Sequence, residues 1–134
     1  MTAIATTNTT GLRRWWSVIA ILIAAAFFTE TVFAGAMLSG EAWARQAHAM
    51  SAVALIASTA AAALASLVTL RRVPHGLTLG LTLLSLAAAA ALQIAVGKLS
   101  ADGANLRWIH VPLGVALVAL AVHAVGVARR LGSD

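Results

Sequence analysis

Apolar residues dominate four stretches of the chain, at residues 15–38, 47–70, 77–96 and 109–128. Each stretch is as long as the roughly 20 helical residues that cross a hydrocarbon core of about 30 Å. None of them alternates apolar and polar residues as a strand would, and backbone groups in lipid must bond within their own segment. Because the connections are short, the pattern predicts an all-α integral membrane protein, an up-down four-helix bundle.

The four spans divide the chain into three parts. We expect a membrane domain at residues 15–128, an N-terminal tail at 1–14 whose first ten residues are disordered, and a C-terminal tail at 129–134. The two arginines before the first span and its Ala34-Gly35-Ala36 end also resemble a cleavable signal peptide. We expect this span to be retained, because it is long and has a counterpart later in the chain.

The composition excludes most soluble proteins. The chain is 61% apolar and 10% charged, with a mean hydropathy of +0.94, whereas about 25% of the residues in a soluble domain are charged. An ordinary soluble enzyme is therefore excluded. The absence of cysteine excludes disulfides, thiolate metal sites and covalent c-type haem attachment.

The net charge of +5 is explained better by membrane topology than by nucleic-acid binding. Six arginines flank the spans on one side of the predicted membrane and three cations flank them on the other. By the positive-inside rule, this bias predicts a multi-pass protein of a bacterial inner membrane with both termini in the cytoplasm. Four tryptophans at span ends suit interfacial anchors. The six arginines are Arg13, Arg14, Arg71, Arg72, Arg129 and Arg130, the three cations are Arg45, Lys98 and Arg107, and the tryptophans are Trp15, Trp16, Trp43 and Trp108.

The chain also contains an internal repeat. A shift of 62 residues aligns one glycine, one arginine and one histidine of the first half with the same residue types in the second. With a slip of one further residue, Glu30 aligns with Gln93. The pattern predicts a two-helix repeat whose copies are related by an axis along the membrane normal. The three aligned pairs are Gly35 with Gly97, Arg45 with Arg107, and His48 with His110.

The repeated histidines are the strongest candidates for chemistry. His48 and His110 lie at matching depth near one end of their spans, so both imidazoles are expected to face the bundle axis, as the axial ligands of a b-type haem do. Arg45 and Arg107, one helical turn nearer the membrane surface, are placed to bind the haem propionates. We expect small residues to make room for the macrocycle, at Gly35, Gly97 and Gly114.

The remaining polar residues within spans have several interpretations. Glu30 is a proton-transfer group, a hydrogen-bonding partner of a haem-ligating histidine, or a structural link to another helix. Gln93 is expected to link two helices. His75 is expected in a solvated loop, although a second haem between His75 and His123 stays open. Gly76 and Gly80 are expected to serve helix packing.

In these residues the chain resembles one half of a haem A synthase, over residues 24–128, and small four-span bacterial proteins of the same layout. The resemblance implies a four-helix half in which histidines on the second and fourth helices hold a haem. The catalytic half of that family carries a glutamate three residues before a histidine, where this chain has Arg45 or Arg107. The resemblance therefore implies a haem b site more than a haem-modifying enzyme. A weaker likeness to cytochrome b561-type proteins implies the same cofactor.

Together these features predict a small membrane b-type cytochrome that binds one non-covalent haem and transfers electrons. Its expected partners are the lipid bilayer and a quinol or a redox protein. The oligomeric state is open. Two alternatives remain: a proton-coupled exporter of the small multidrug-resistance type that uses Glu30, and a non-catalytic accessory subunit.

Overall fold

The computed structural model describes the backbone of residues 3–133 and the side chains of residues 10–133. It contains four helices: α1 (Ala3–Leu38), α2 (Ala42–Thr69), α3 (Gly76–Ala101) and α4 (Arg107–Arg129). All four are long and apolar enough to cross a membrane. The predicted all-α membrane fold is therefore confirmed.

The helices form an up-down bundle in which each packs against two neighbours. Helix α1 contacts α2 and α4, and α3 contacts the same two helices, so that α2 and α4 are diagonal to each other. Large apolar side chains such as Trp15, Val68 and Val115 are more than 60% exposed on the outside of the bundle. This arrangement suits a chain whose outer surface meets lipid rather than water.

The helices extend beyond the predicted spans. Helix α1 already begins at Ala3, so the expectation of a disordered tail is wrong for residues 3–10, while residues 1 and 2 lie outside the described region. Residues 3–10 include four threonines and one asparagine, which are weak helix formers, but the helix of the span continues through them because elongating a helix costs far less than nucleating one. Helix α2 begins five residues earlier than the predicted span, and α3 ends five residues later.

Two glycines end the helices that lead to the shorter connections. Gly40 (φ +91°) and Gly103 (φ +105°) adopt the left-handed conformation after α1 and α3. At each, the following residue donates a backbone hydrogen bond five residues back, from Glu41 to the carbonyl of Ala36 (3.1 Å) and from Ala104 to that of Leu99 (3.0 Å). Both ends are Schellman motifs, which satisfy carbonyls that a helix end leaves without partners.

Buried side chains are concentrated in one half of the bundle. We call residues 10–27, 55–90 and 117–133 the core half, and residues 28–54 and 91–116 the far half. Of the buried side chains in the described region, only Ala44 belongs to the far half. The core half has an apolar interior that includes Leu79, Leu83 and Leu86, so it provides most of the packing energy.

The α2–α3 turn lies at the end of the core half. A Cβ on Gly80 would lie 2.6 Å from Leu67 Cδ2, and one on Gly76 would collide with the carbonyl oxygen of Leu70. The expected packing role of both glycines is therefore confirmed. His75, before α3, is exposed and left-handed (φ 63°), in agreement with its expected place in a loop.

Candidate functional site

Almost all the unsatisfied polar atoms of the described residues cluster in the far half. Six buried side-chain nitrogen or oxygen atoms have no hydrogen-bond partner, and only Thr59 Oγ1 belongs to the core half. Such atoms are rare in folded proteins and costly in an apolar medium, so each requires an explanation. The five in the far half are Glu30 Oε2, His48 Nδ1, Gln93 Oε1, Ser100 Oγ and His110 Nδ1.

Glu30 of α1 contacts His48 of α2. Glu30 Oε2 lies 2.7 Å from His48 Nδ1, and the two side chains are 13% and 24% exposed. The distance is that of an ion pair, but the ring N–H is not aligned with the oxygen, so neither atom completes a hydrogen bond. A small rotation of either side chain would align the two groups. Of the three roles considered for Glu30, the contact favours that of partner to a histidine.

Gln93 of α3 contacts α4 at the corresponding level. Its Nε2 donates a hydrogen bond of 2.8 Å to the backbone carbonyl of His110, which agrees with its expected role as a link between helices. Gly114, one turn beyond His110, makes this approach possible, since a Cβ there would lie 3.1 Å from Gln93 Nε2. The space expected at Gly114 for a cofactor is thus partly used by Gln93.

The imidazole of His110 lies against the backbone of α3. A Cβ on Gly97 would lie 2.8 Å from Cε1 of the ring and 3.3 Å from Nδ1. His110 is also close enough to His48 for the charge of one imidazole to act on the other. The structure therefore brings the two repeated histidines into one region, from helices that are diagonal in the bundle.

Gly35 does not play the role of Gly97. It is exposed, and a Cβ there would meet no atom within 4 Å. The reason is that equivalent positions of α1 and α3 are 63 residues apart, not 62. This shift of 63 relates the last residues of the two helices, Leu38 and Ala101, and the glycines that follow them, Gly40 and Gly103. At that shift Gly97 corresponds to Ala34, so the alignment of Gly35 with Gly97 does not reflect equivalent positions in the bundle.

The same shift of 63 residues explains why Glu30 aligns with Gln93 only after a slip of one residue. Glu30 and Gln93 lie eight residues before the ends of α1 and α3, about 12 Å along each helix. They are therefore at equal depth, and each contacts the histidine-bearing helix that follows it. The histidines correspond at a shift of 62 because the connection between α3 and α4 differs from that between α1 and α2.

The other predicted residues are farther from this cluster or more exposed. Arg45 lies in the first turns of α2 and Arg107 is the first residue of α4, and both are exposed. His75 and His123 are also exposed, and no described contact brings them together. Among the described residues, no group of three or more metal-ligating side chains is close enough to hold a bare metal ion.

The prediction from sequence missed a groove between α1 and α2. Two open cavities, of about 230 Å³ and 410 Å³, share Ala26, Leu55 and Ser58. The larger one is also lined by Glu30 and Phe33. A hydrophobic pattern shows which residues are apolar but not where two helices leave space between them, and Glu30 was the only sequence signal at this place.

Comparisons with known protein families, with curated proteins and with solved structures find no match for this chain.

Proposed function

We propose that the protein is a small membrane b-type cytochrome that holds one non-covalent haem b between His48 and His110 and transfers single electrons. The observation that carries this proposal is that both repeated histidines, each half-buried, lie in the same polar cluster of the far half. When bound, the haem iron supplies a one-electron couple.

The donor set fits such a group. Two imidazoles from diagonal helices suit a cofactor that needs two protein ligands on opposite faces, whereas a bare ion usually needs three or more. Glu30 Oε2 lies at Nδ1 of His48, which leaves Nε2 of that ring for a ligand. A carboxylate at the second nitrogen of a ligating histidine fixes its orientation and increases its basicity.

The two arginines and the loose packing support the same assignment. Arg45 and Arg107 lie near the N-termini of α2 and α4, where the helix dipole disfavours cations and favours anions. Anionic propionates would offset both charges there. Outside Ala44, no described side chain of the far half is buried, so a macrocycle would displace little packed core.

The proposal includes a location and a source of electrons. We place the protein in a bacterial inner membrane with both termini in the cytoplasm, on the arginine distribution. The far half then faces outwards, and electrons come from a quinol in the bilayer or from a redox protein. A reporter enzyme that works only in the cytoplasm should be active when it is fused after residue 133. A reporter enzyme that works only outside the cytoplasm should be active when it is inserted at residues 102–106.

The test is an absorbance spectrum of protein purified after expression with ample haem. We expect a Soret band that is lost in His48→Ala and in His110→Ala. His75→Ala and His123→Ala are matched controls, because both side chains are exposed away from the cluster, and they should keep the band. A wild-type protein without a Soret band would refute the proposal.

The second candidate function is proton-coupled export of a cationic compound, and one observation favours it. Glu30 lines the open cavity of about 410 Å³ between α1 and α2, where a carboxylate would attract a cation. Export predicts that cells lose drug resistance with Glu30→Gln and keep it with His110→Ala. The cytochrome predicts no resistance from either form.

A further inference from the structure

The groove between α1 and α2 is continuous and faces outwards from the bundle. Its two cavities share three residues, so together they form one channel along the helix pair. Buried Ile23 and Leu55 form its floor, while exposed Leu22, Ala54 and Ser58 form its rims. A groove with a buried floor and exposed rims opens towards the lipid and admits a molecule that is dissolved in the bilayer.

The two ends of the groove differ in chemistry. The cavity of about 230 Å³ is lined by apolar side chains except for Ser58, so it suits a hydrocarbon tail. The lining of the cavity of about 410 Å³ includes Glu30 and Phe33. Phe33 makes an edge-to-face contact with Trp43 (ring centroids 6.1 Å apart, interplanar angle 89°), which places two aromatic rings near this end.

Glu30 connects the groove with the histidine cluster. Its Oε2 lies 2.7 Å from Nδ1 of His48. Its Oε1 accepts no hydrogen bond from the described residues and is accessible from outside the protein. One oxygen therefore faces the candidate haem ligand, and the other is available to a hydroxyl donor in the groove.

We propose that this groove is the binding site of a hydroquinone with an apolar tail, and that Glu30 Oε1 accepts the proton of its ring hydroxyl. The inference rests on the proposed function, because it needs the haem at His48 as the electron acceptor. The tail lies along Ile23 and Ala26, and the aromatic head lies between Glu30 and Phe33. The hydroxyl satisfies the carboxylate, and the ring suits the aromatic end.

The reaction balances with two haems for each hydroquinone. Oxidation of one hydroquinone breaks two O–H bonds and releases two protons and two electrons, which leaves the quinone. A haem held by His48 and His110 would accept one electron, so the oxidation of one hydroquinone would need two haem-loaded proteins. The protons leave singly through Glu30 towards the far end of the bundle, which is about 12 Å away along α1.

Two measurements test the groove. The first is the binding of a hydroquinone with a ten-carbon tail to haem-free protein, measured by quenching of tryptophan fluorescence, and the second is the rate at which the same compound reduces ferric, haem-loaded protein, measured by absorbance. Ala26→Phe fills the junction of the two cavities, and Ala25→Phe places the same side chain on the exposed face of α1. A second pair on α2 is Ala54→Phe at the rim and Ala57→Phe outside the groove. Two pairs guard against one variant that fails to fold.

We expect both groove variants to bind the hydroquinone about tenfold more weakly or worse, equivalent to about 1.4 kcal/mol, and to be reduced by it correspondingly more slowly. The hydroquinone should reduce both control variants at the wild-type rate. Dithionite should fully reduce the wild type and all four variants. Equal rates in groove and control variants with intact Soret bands would overturn the groove and leave the haem proposal standing. A wild-type protein without a Soret band would overturn both.

Discussion

Replacing Gly97 with alanine is the sharpest test of the histidine cluster. The new Cβ would lie 2.8 Å from Cε1 of His110 and 3.3 Å from its Nδ1, whereas carbon atoms in contact are usually about 3.5–4.0 Å apart. The two helices cannot easily separate, since Gln93, one turn away on α3, is hydrogen-bonded to α4 at 2.8 Å. We therefore expect the ring of His110 to turn away from its present position.

The magnitude follows from overpacking and is isolated by a matched control. Forcing an extra methyl group into a packed site costs about 1–3 kcal/mol, while replacing glycine by alanine within a helix gains up to about 1 kcal/mol. Gly35→Ala makes the same replacement in α1, where the new Cβ meets nothing within 4 Å. The helix gain cancels between the two variants, which leaves a difference of about 1–3 kcal/mol.

Two assays measure this difference. A haem titration followed at the Soret band should give a dissociation constant weaker for Gly97→Ala than for Gly35→Ala by up to about 150-fold, at 1.4 kcal/mol for each factor of ten. Whatever part of the cost the haem-free protein already bears appears instead as a lower stability of Gly97→Ala in mixed-micelle unfolding, so the two effects together make up the difference. Equal stability and equal haem affinity of the two variants would refute the contact between Gly97 and His110.

Two further predictions concern the packing of the helices. Gly80→Ala places a Cβ 2.6 Å from Leu67 Cδ2 and 3.2 Å from the backbone nitrogen of Leu67, and it should cost about 1–3 kcal/mol of stability in micelle unfolding. The control Gly126→Ala has open space around it and should cost nothing. Equal effects of the two variants would contradict the close approach of α2 and α3. Gln93→Leu removes the hydrogen bond to His110 and should lower the free energy of unfolding by about 0.5–1.5 kcal/mol. Gln93→Glu loses the donor but keeps the shape of the side chain, so it should not restore stability. A Gln93→Leu variant as stable as the wild type would show that the bond is not formed.

The hydrophobic pattern was sufficient to predict the class of fold. Four apolar stretches of membrane length with short connections leave few arrangements besides an up-down bundle. The ends of the helices were less predictable, because the apolar pattern stops at the membrane surface while the helix continues into polar residues. Helix α2 thus begins at Ala42, after Glu41 at its N-cap, and α3 ends at Ala101, where Gly103 rather than hydropathy determines the helix end.

The candidate site was predictable in part. The repeated histidines identified the helices and the level of the cluster, and Glu30 and Gln93 were recognised as counterparts. The role of Gly35 was not predictable from an alignment, because a shift of one residue rotates a helical position by about 100°. In the bundle, Gly97 faces His110 and Gly35 faces outwards. The groove was not predictable, because its walls come from two helices whose separation no periodicity encodes.

The difference between Glu30 and Gln93 makes the two halves of the repeat chemically unequal. Both residues lie about 12 Å from the ends of their helices, but Glu30 contacts the side chain of His48, whereas Gln93 contacts only the backbone of His110. A carboxylate can accept a proton and an amide cannot. If one haem joins the two histidines, electron transfer is therefore coupled to protons on the α1–α2 side alone. The groove that Glu30 lines lies on that same side, so the proposed electron donor would release its protons there.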